Sequence, residues 1–238
     1  MTAEQRSQEP TETPEGSALP SPSRRRLVRG VAGGAGVLLS VHAKTALGSG
    51  TCKSPSAMMS GNTSPRPGNG TTCSGGRSPG FWKQPQKFNN WPAAGAVAPT
   101  FNVTVNECAQ GMGNLALANI ATQGTLLTSA GFAGAPTGVG LWAVLAFPNS
   151  FTGGQLMRHL SAAWLNAGLF TSPTEKYPLT KQQVIDMWNA TKSGGTYCPT
   201  SIVGGCGANG WSATQVINYI SGMYDINASG IEPDLCKP

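Results

Sequence analysis

Covalent closure constrains this chain more than any other feature, because its six cysteines, Cys52, Cys73, Cys108, Cys198, Cys206 and Cys236, all lie after residue 43. The segment before them accounts for that distribution. Arg24, Arg25, Arg26 and Arg29 form a positive stretch, residues 31–41 a short apolar run, and Val41 and Ala43 the small residues of a cleavage site. Together these read as the leader of an exported chain. A membrane-spanning helix needs about 20 consecutive apolar residues, and this run is far shorter and diluted by Gly33, Gly34 and Gly36, so no stable transmembrane segment is expected. In an exported chain the even cysteine count reads as up to three disulfides, with about fifteen possible connectivities. Cys198–Cys206 is the first candidate, since Pro199, Gly204, Gly205 and Gly207 let its loop close tightly. Cys52 with Cys73 would staple the segment ahead of the domain, leaving Cys108 with Cys236 to tie the domain's start to its end. That last closure would restrict the unfolded chain by on the order of 4–5 kcal/mol. No C-x-x-C occurs and His159 is the only histidine after residue 43, so tetrahedral zinc is not expected.

Ser23, Arg24 and Arg25, followed by Leu27, Val28 and Arg29, resemble the twin-arginine export motif position by position. The glycine-diluted apolar run and Lys44 behind it are similar to that family's leaders as well. The resemblance implies the twin-arginine translocase and a signal peptidase as export partners, and a periplasmic or extracellular destination. Residues 1–43 are therefore expected to be a signal peptide with a polar N-terminal extension. That route carries folded proteins, whereas disulfides form outside, so the domain is expected to fold adequately while reduced or to travel with a partner.

The remaining chain is of one-domain size. With 32 glycines, 18 prolines and 11% charged residues overall, long turns and loops are expected to outweigh continuous regular structure. Residues 44–79, rich in Ser, Gly, Thr, Pro and Asn, read as a linker or loop, and 80–238 as an α-rich secreted domain. Residues 101–106 alternate apolar and polar side chains, as an extended segment does, while the apolar runs 115–120 and 141–147 fit either helix or strand. Three amphipathic helices stand out. Leu156, Leu160, Ala163, Trp164 and Ala167 recur at helical spacing; Thr180 opens a capping box closed by Gln183, and Ser212 one closed by Gln215. The fold class expected is mainly α: a small disulfide-containing domain of about three to five helices with long Gly/Pro-rich loops and little strand. The formal charge of +6 comes from dispersed bases with no dense basic run, so nucleic acid is not an expected partner. A general affinity for anionic envelope polymers, or a protein partner in the envelope, remains open.

The most singular segment is SPGFWKQPQKFNNWP, residues 78–92. Gly80, Phe81, Trp82, Lys83 and Pro85, with Trp91 and Pro92 behind them, resemble the G-[FY]-W-K-x-H-P opening of a group of bacterial exported domains whose biochemical role is unassigned. Residues 155–167 and the YDINASG stretch before Cys236 are similar to that group's Leu/Ala-rich helix and terminal segment. Gln84 stands where the motif usually has His, which removes any role that depends on that imidazole. The resemblance implies an α-rich secreted domain and lends no activity. Physically, Phe81, Trp82, Lys83 and Trp91 form a candidate ligand-binding set, because rings beside Lys83 and Lys87 can stack on sugar faces or line a peptide groove. The competing reading is an extended arm that packs its tryptophans over the helices along a path fixed by Pro85 and Pro92. Packing is favoured, since tryptophans are mostly buried, and Trp142, Trp164, Trp188 and Trp211 are expected in the core for the same reason.

No catalytic residue is assigned. A Ser-His-Asp device would have to use His159 with Asp186, Asp225 or Asp234, and no G-x-S-x-G elbow surrounds a serine. His159, beside Arg158 on what reads as a polar helix side, is expected to be solvated. Asp225, Asn227, Ser229 and Gly230 imitate the first half of a calcium loop, but the twelfth position is Cys236 and Pro233 intrudes. A helix end finished by Asn227 and Gly230 explains the same letters, so neither metal nor cofactor is expected. Two functional readings follow: an exported non-catalytic envelope or surface protein with a structural or interaction role, or an exported hydrolase or cofactor-dependent enzyme.

Overall fold

The structure, a computed structural model, describes residues 54–59, 72–73, 75–106, 112–172 and 175–224. The leader, Cys52, Cys108, Cys236 and the calcium-like residues Asp225, Asn227 and Ser229 lie outside the described residues, and with them the Cys52–Cys73 and Cys108–Cys236 pairings. The chain divides into a unit of residues 1–40 and a second of 41–238; everything below belongs to the second.

Its described residues mix helices with a few very short strands, and they hold more helices than the three to five expected. In chain order the described α-helices are α1 (Pro55–Met59), α2 (Pro79–Trp82), α3 (Leu141–Ala146), α4 (Gly154–Leu169), α5 (Lys181–Thr191) and α6 (Ala213–Gly222). The strands are two or three residues long: β1 (Thr72–Cys73), β2 (Thr100–Phe101), β3 (Ile120–Thr122), β4 (Thr171–Ser172) and β5 (Glu175–Lys176). They form one small sheet in the order β1-β5-β4, with β1 parallel and β4 antiparallel to β5, and an antiparallel β2/β3 pair. The alternation over residues 101–106 thus yields strand only at Thr100–Phe101, where the Thr100 and Thr122 hydroxyls bond across the pair at 2.8 Å.

α4 is the centre. It packs against α2, α3, α5 and α6, and its residues Leu156, Met157 and Leu160–Asn166 are buried, which a helix needs when neighbours surround it. Its start is set by backbone contact rather than by a side-chain cap. Gly153 takes the left-handed conformation (φ 70°), and a Cβ on Gly154 would run into the Pro148 carbonyl oxygen. α5 and α6 begin on the capping boxes expected from the sequence. The Gln183 amide N–H donates to Thr180 Oγ1 at 3.2 Å while the Thr180 N–H donates to Gln183 Oε1 at 2.9 Å. The Gln215 N–H donates to Ser212 Oγ at 3.4 Å and the Ser212 N–H to Gln215 Oε1 at 2.8 Å. Each such cap contributes about 1 kcal/mol. The apolar run over 141–147, ambiguous in sequence, is helical over Leu141–Ala146, where all of Leu141–Leu145 is buried.

Cys198 and Cys206 are joined in a disulfide, as their loop composition suggested, with Cα atoms 5.7 Å apart. A bridge between Tyr197 and Trp211, with reciprocal N–H···O bonds of 2.8 Å, closes the base of the same loop. At a sequence separation of 8, the loop-entropy account assigns the disulfide about 2.5 kcal/mol. The Met59 sulfur lies 3.5 Å from Cys206 Sγ, so α1 touches this loop. No helix among the described residues is long and apolar enough to cross a membrane.

Candidate functional site

Two groups of residues gather the chemistry of the described chain, and both meet α4. The first is the aromatic arm of residues 75–92. It is not extended, as the sequence suggested, but wound into helical turns. Ser78 caps α2 through a 3.4 Å bond from the Phe81 N–H, Pro79 occupies the first turn, and Pro85 opens a 3-10 turn over Pro85–Asn90. A proline there loses nothing, because the first amides of a helix have no intrahelical acceptor. These turns aim Trp82 and Trp91 inward, and both are fully buried. Every indole in the region finds an acceptor: Trp82 Nε1–H donates to Asn166 Oδ1 (2.9 Å), Trp91 Nε1–H to the Trp82 carbonyl (3.3 Å) and Trp142 Nε1–H to the Lys83 carbonyl (2.9 Å).

This corrects the candidate binding set. Trp82 and Trp91 are core residues and cannot offer a ring face to a ligand; the apolar area they bury and their satisfied indoles hold them there. Phe81 is half-buried, with the Arg77 guanidinium 5.4 Å and the Lys87 ammonium 5.6 Å from its ring centroid, so its face is engaged by cations rather than open to a sugar. Lys83, two residues further on, is also half-buried. Trp142, Trp164 and Trp188 are buried as expected, whereas Trp211 is only half-buried. The arm's packing also begins before residue 80. Asn166 Oδ1 accepts from the Arg77 amide at 2.9 Å, and Asn166 Nδ2 donates to the Arg77 carbonyl at 2.9 Å. At the far end Lys181 Nζ donates to the Ala94 carbonyl (2.8 Å) and lies 3.4 Å from the Trp164 ring centroid.

The second group is Arg158, His159, Tyr177 and Tyr224. His159 is not the solvated histidine that the sequence suggested. It is half-buried, stacked on Tyr224 with ring centroids 5.9 Å apart, and its Nδ1 lies 2.8 Å from the Tyr224 hydroxyl. Burial first, and the neighbouring Arg158 charge second, push its pKa down to about 4 from the ordinary 6.5. Burial pushes the Tyr224 hydroxyl far above its ordinary range, against the pull of Arg158, and does the same to Tyr177 against the pull of nearby Asn166. Among the described residues, Arg158 Nε and Ser161 Oγ are buried with no hydrogen-bond partner. No group of three or more His, Cys, Asp or Glu able to hold a metal ion occurs among the described residues.

The lowered His159 pKa makes stability depend on pH. The unfolded chain takes up a proton near pH 6.5 and the folded chain only near 4, so the contribution is complete above about 6.5 and is lost as pH falls towards 4. After allowance for solvent screening of a part-exposed ring, the loss is on the order of 1–2 kcal/mol. Thermal melts at pH 7 and pH 4.5 should show a smaller acid-induced drop in Tm for His159→Gln than for the parent. Equal drops in the two proteins would contradict the assignment.

Neither Asn166 nor the Arg158–Tyr224 neighbourhood stood out in the sequence. The available signal was an asparagine, poor in helix interiors, among the Leu, Ala and Trp of an otherwise apolar helix. No family model, curated protein or solved structure matches the chain.

Proposed function

We propose that this chain is an exported, non-catalytic envelope or surface protein that acts by interaction, periplasmic or extracellular after twin-arginine export and removal of residues 1–43. The observation that carries the reading is how the arm divides its rings. Trp82 and Trp91 anchor it in the core, Phe88 stacks on Phe101 at 6.2 Å, and half-buried Phe81 holds Arg77 and Lys87 against its ring. Asn166 pins the backbone of Arg77, which fixes where that side chain starts. A half-buried cationic segment of this kind favours an anionic envelope polymer over a neutral glycan.

The test is co-sedimentation of the exported protein with isolated envelope material. Binding is expected at low ionic strength, with release as salt rises. Lys87→Gln should weaken it several-fold with little change in Tm. Failure of the parent protein to bind at low salt overturns the reading. The alternative, an exported hydrolase or cofactor-dependent enzyme, draws on the Arg158–His159–Tyr224 cluster; a bound metal or a visible chromophore in the native protein would favour it.

A further inference from the structure

We propose that the Cys198–Cys206 disulfide is a redox latch for α1: with the bridge closed, α1 docks on the loop that the bridge shapes, and two-electron reduction of the bridge releases α1 while the rest of the domain stays folded.

α1 cannot hold itself. Its five residues make little more than one turn, too few to repay the nucleation of a helix, so such a segment is helical only where something docks it. Its internal support is local: the Ala57 N–H donates to Ser54 Oγ at 3.3 Å and the Met58 N–H to the Ser54 carbonyl at 3.1 Å. No other helix or strand among the described residues packs extensively on it. It is anchored instead by Pro55, which is buried, and by Met58 and Met59, which lie against the edge of the core. The Met59 sulfur reaches the bridge itself, 3.5 Å from Cys206 Sγ.

The loop that receives α1 owes its shape to the bridge. Inside it, the Ile202 N–H donates to the Pro199 carbonyl at 3.0 Å and the Gly205 N–H to the Ile202 carbonyl at 3.2 Å. Gly204, Gly205 and Gly207 have φ of 85°, 74° and 51°, with nothing within 4 Å of the place a Cβ would take. No packing at those positions opposes unwinding, and glycine recovers the most backbone freedom when released. Opening the bridge therefore frees the loop and removes the fixed Cys206 sulfur from beside Met59. The loss stops at the base of the loop. There Tyr197 and Trp211 exchange two 2.8 Å bonds, Tyr197 is buried, and Ser212 caps α6; none of these contacts involves a cysteine sulfur.

Neither cysteine is fully buried, so a small dithiol can reach the bridge. Its first thiolate attacks one sulfur, the S–S bond breaks and the other sulfur leaves as a thiolate that takes up a proton. The second thiol of the reductant then closes its own disulfide, so that two electrons and two protons end on Cys198 and Cys206. A disulfide acting as oxidant runs the same exchange in reverse. No charged residue occurs between Lys192 and Asp225, so no local charge favours the thiolates as a catalytic dithiol requires; the bridge acts on the fold and not on a substrate. If export precedes oxidation, α1 docks only outside the cytoplasm. That timing rests on the export reading, whereas the latch itself does not.

The experiment is hydrogen exchange followed by NMR on the purified, oxidised full chain, parent against Cys198→Ser/Cys206→Ser, which opens this bridge and leaves the other cysteines in place. The Ala57 and Met58 amides should exchange at least tenfold faster in the variant, while amides in α4 and α5 keep their protection. Unchanged exchange in α1 overturns the proposal. So does an equal loss of protection across α4 and α5, which would make the bridge a staple of the whole domain. Because the coupling is reciprocal, Met59→Ala should make Cys198–Cys206 several-fold easier to reduce in a dithiothreitol redox buffer, a measurement that stands even if the double variant does not fold. An unshifted reduction equilibrium overturns the proposal as well. Both measurements use the protein alone, so neither outcome depends on whether it binds envelope material.

Discussion

Asn166→Leu is expected to destabilise the domain by about 3–5 kcal/mol, the summed desolvation of three groups that lose their partner in the core. The asparagine amide holds the Trp82 indole N–H, the Arg77 amide N–H and the Arg77 carbonyl, at 2.9 Å each. Leucine is close in volume, so the substitution removes hydrogen bonds rather than opening a cavity. Because Trp82 then takes an unpaired N–H into the core, the arm should loosen first. Urea unfolding followed by tryptophan fluorescence gives the measurement: a lower midpoint together with a red-shifted native spectrum is expected. A loss below about 1 kcal/mol would mean that the arm is held by apolar burial alone and that Asn166 is incidental.

Gly76→Ala is expected to be nearly as damaging, through a different cause. Gly76 has φ 74°, a region in which a side chain costs about 1–2 kcal/mol. A Cβ there would also lie 2.5 Å from Asn166 Nδ2 and 2.8 Å from Tyr177 Cε2. Asn166 cannot give way without releasing Trp82 and Arg77, and Tyr177 is itself buried, so the total should reach about 3 kcal/mol or more. Gly194→Ala supplies the comparison, since that residue has φ 83° and nothing within 4 Å of the place a Cβ would take. It should show the backbone cost alone. Equal losses in the two variants would show that the close approach at Gly76 contributes nothing.

Both substitutions act on the packing of the segment 78–92 against α4. That segment was legible in the sequence as a unit, but its role was not: Gly-Phe-Trp-Lys reads the same whether its rings face solvent or core. Pro79 and Pro85 favour helix starts as readily as extended chain, and only the surrounding apolar volume chose the former. His159 shows the same limit. Its neighbour Arg158 suggested a solvated helix face, yet Tyr224, 65 residues away in sequence, lies against the ring, and burial lowers the imidazole's pKa.

What the sequence by itself determined is the local and periodic part. The Thr180 and Ser212 capping boxes, the apolar spacing of α4 and the short Cys198–Cys206 loop are set by contacts within a few residues, so composition and spacing were sufficient. What only the tertiary structure decided is every relationship that crosses many residues: Asn166 clamping Arg77 and Trp82, Lys181 reaching Ala94, and His159 meeting Tyr224. A buried polar group takes its meaning from the partner that satisfies it, and that partner is chosen by packing in space, which local sequence does not encode.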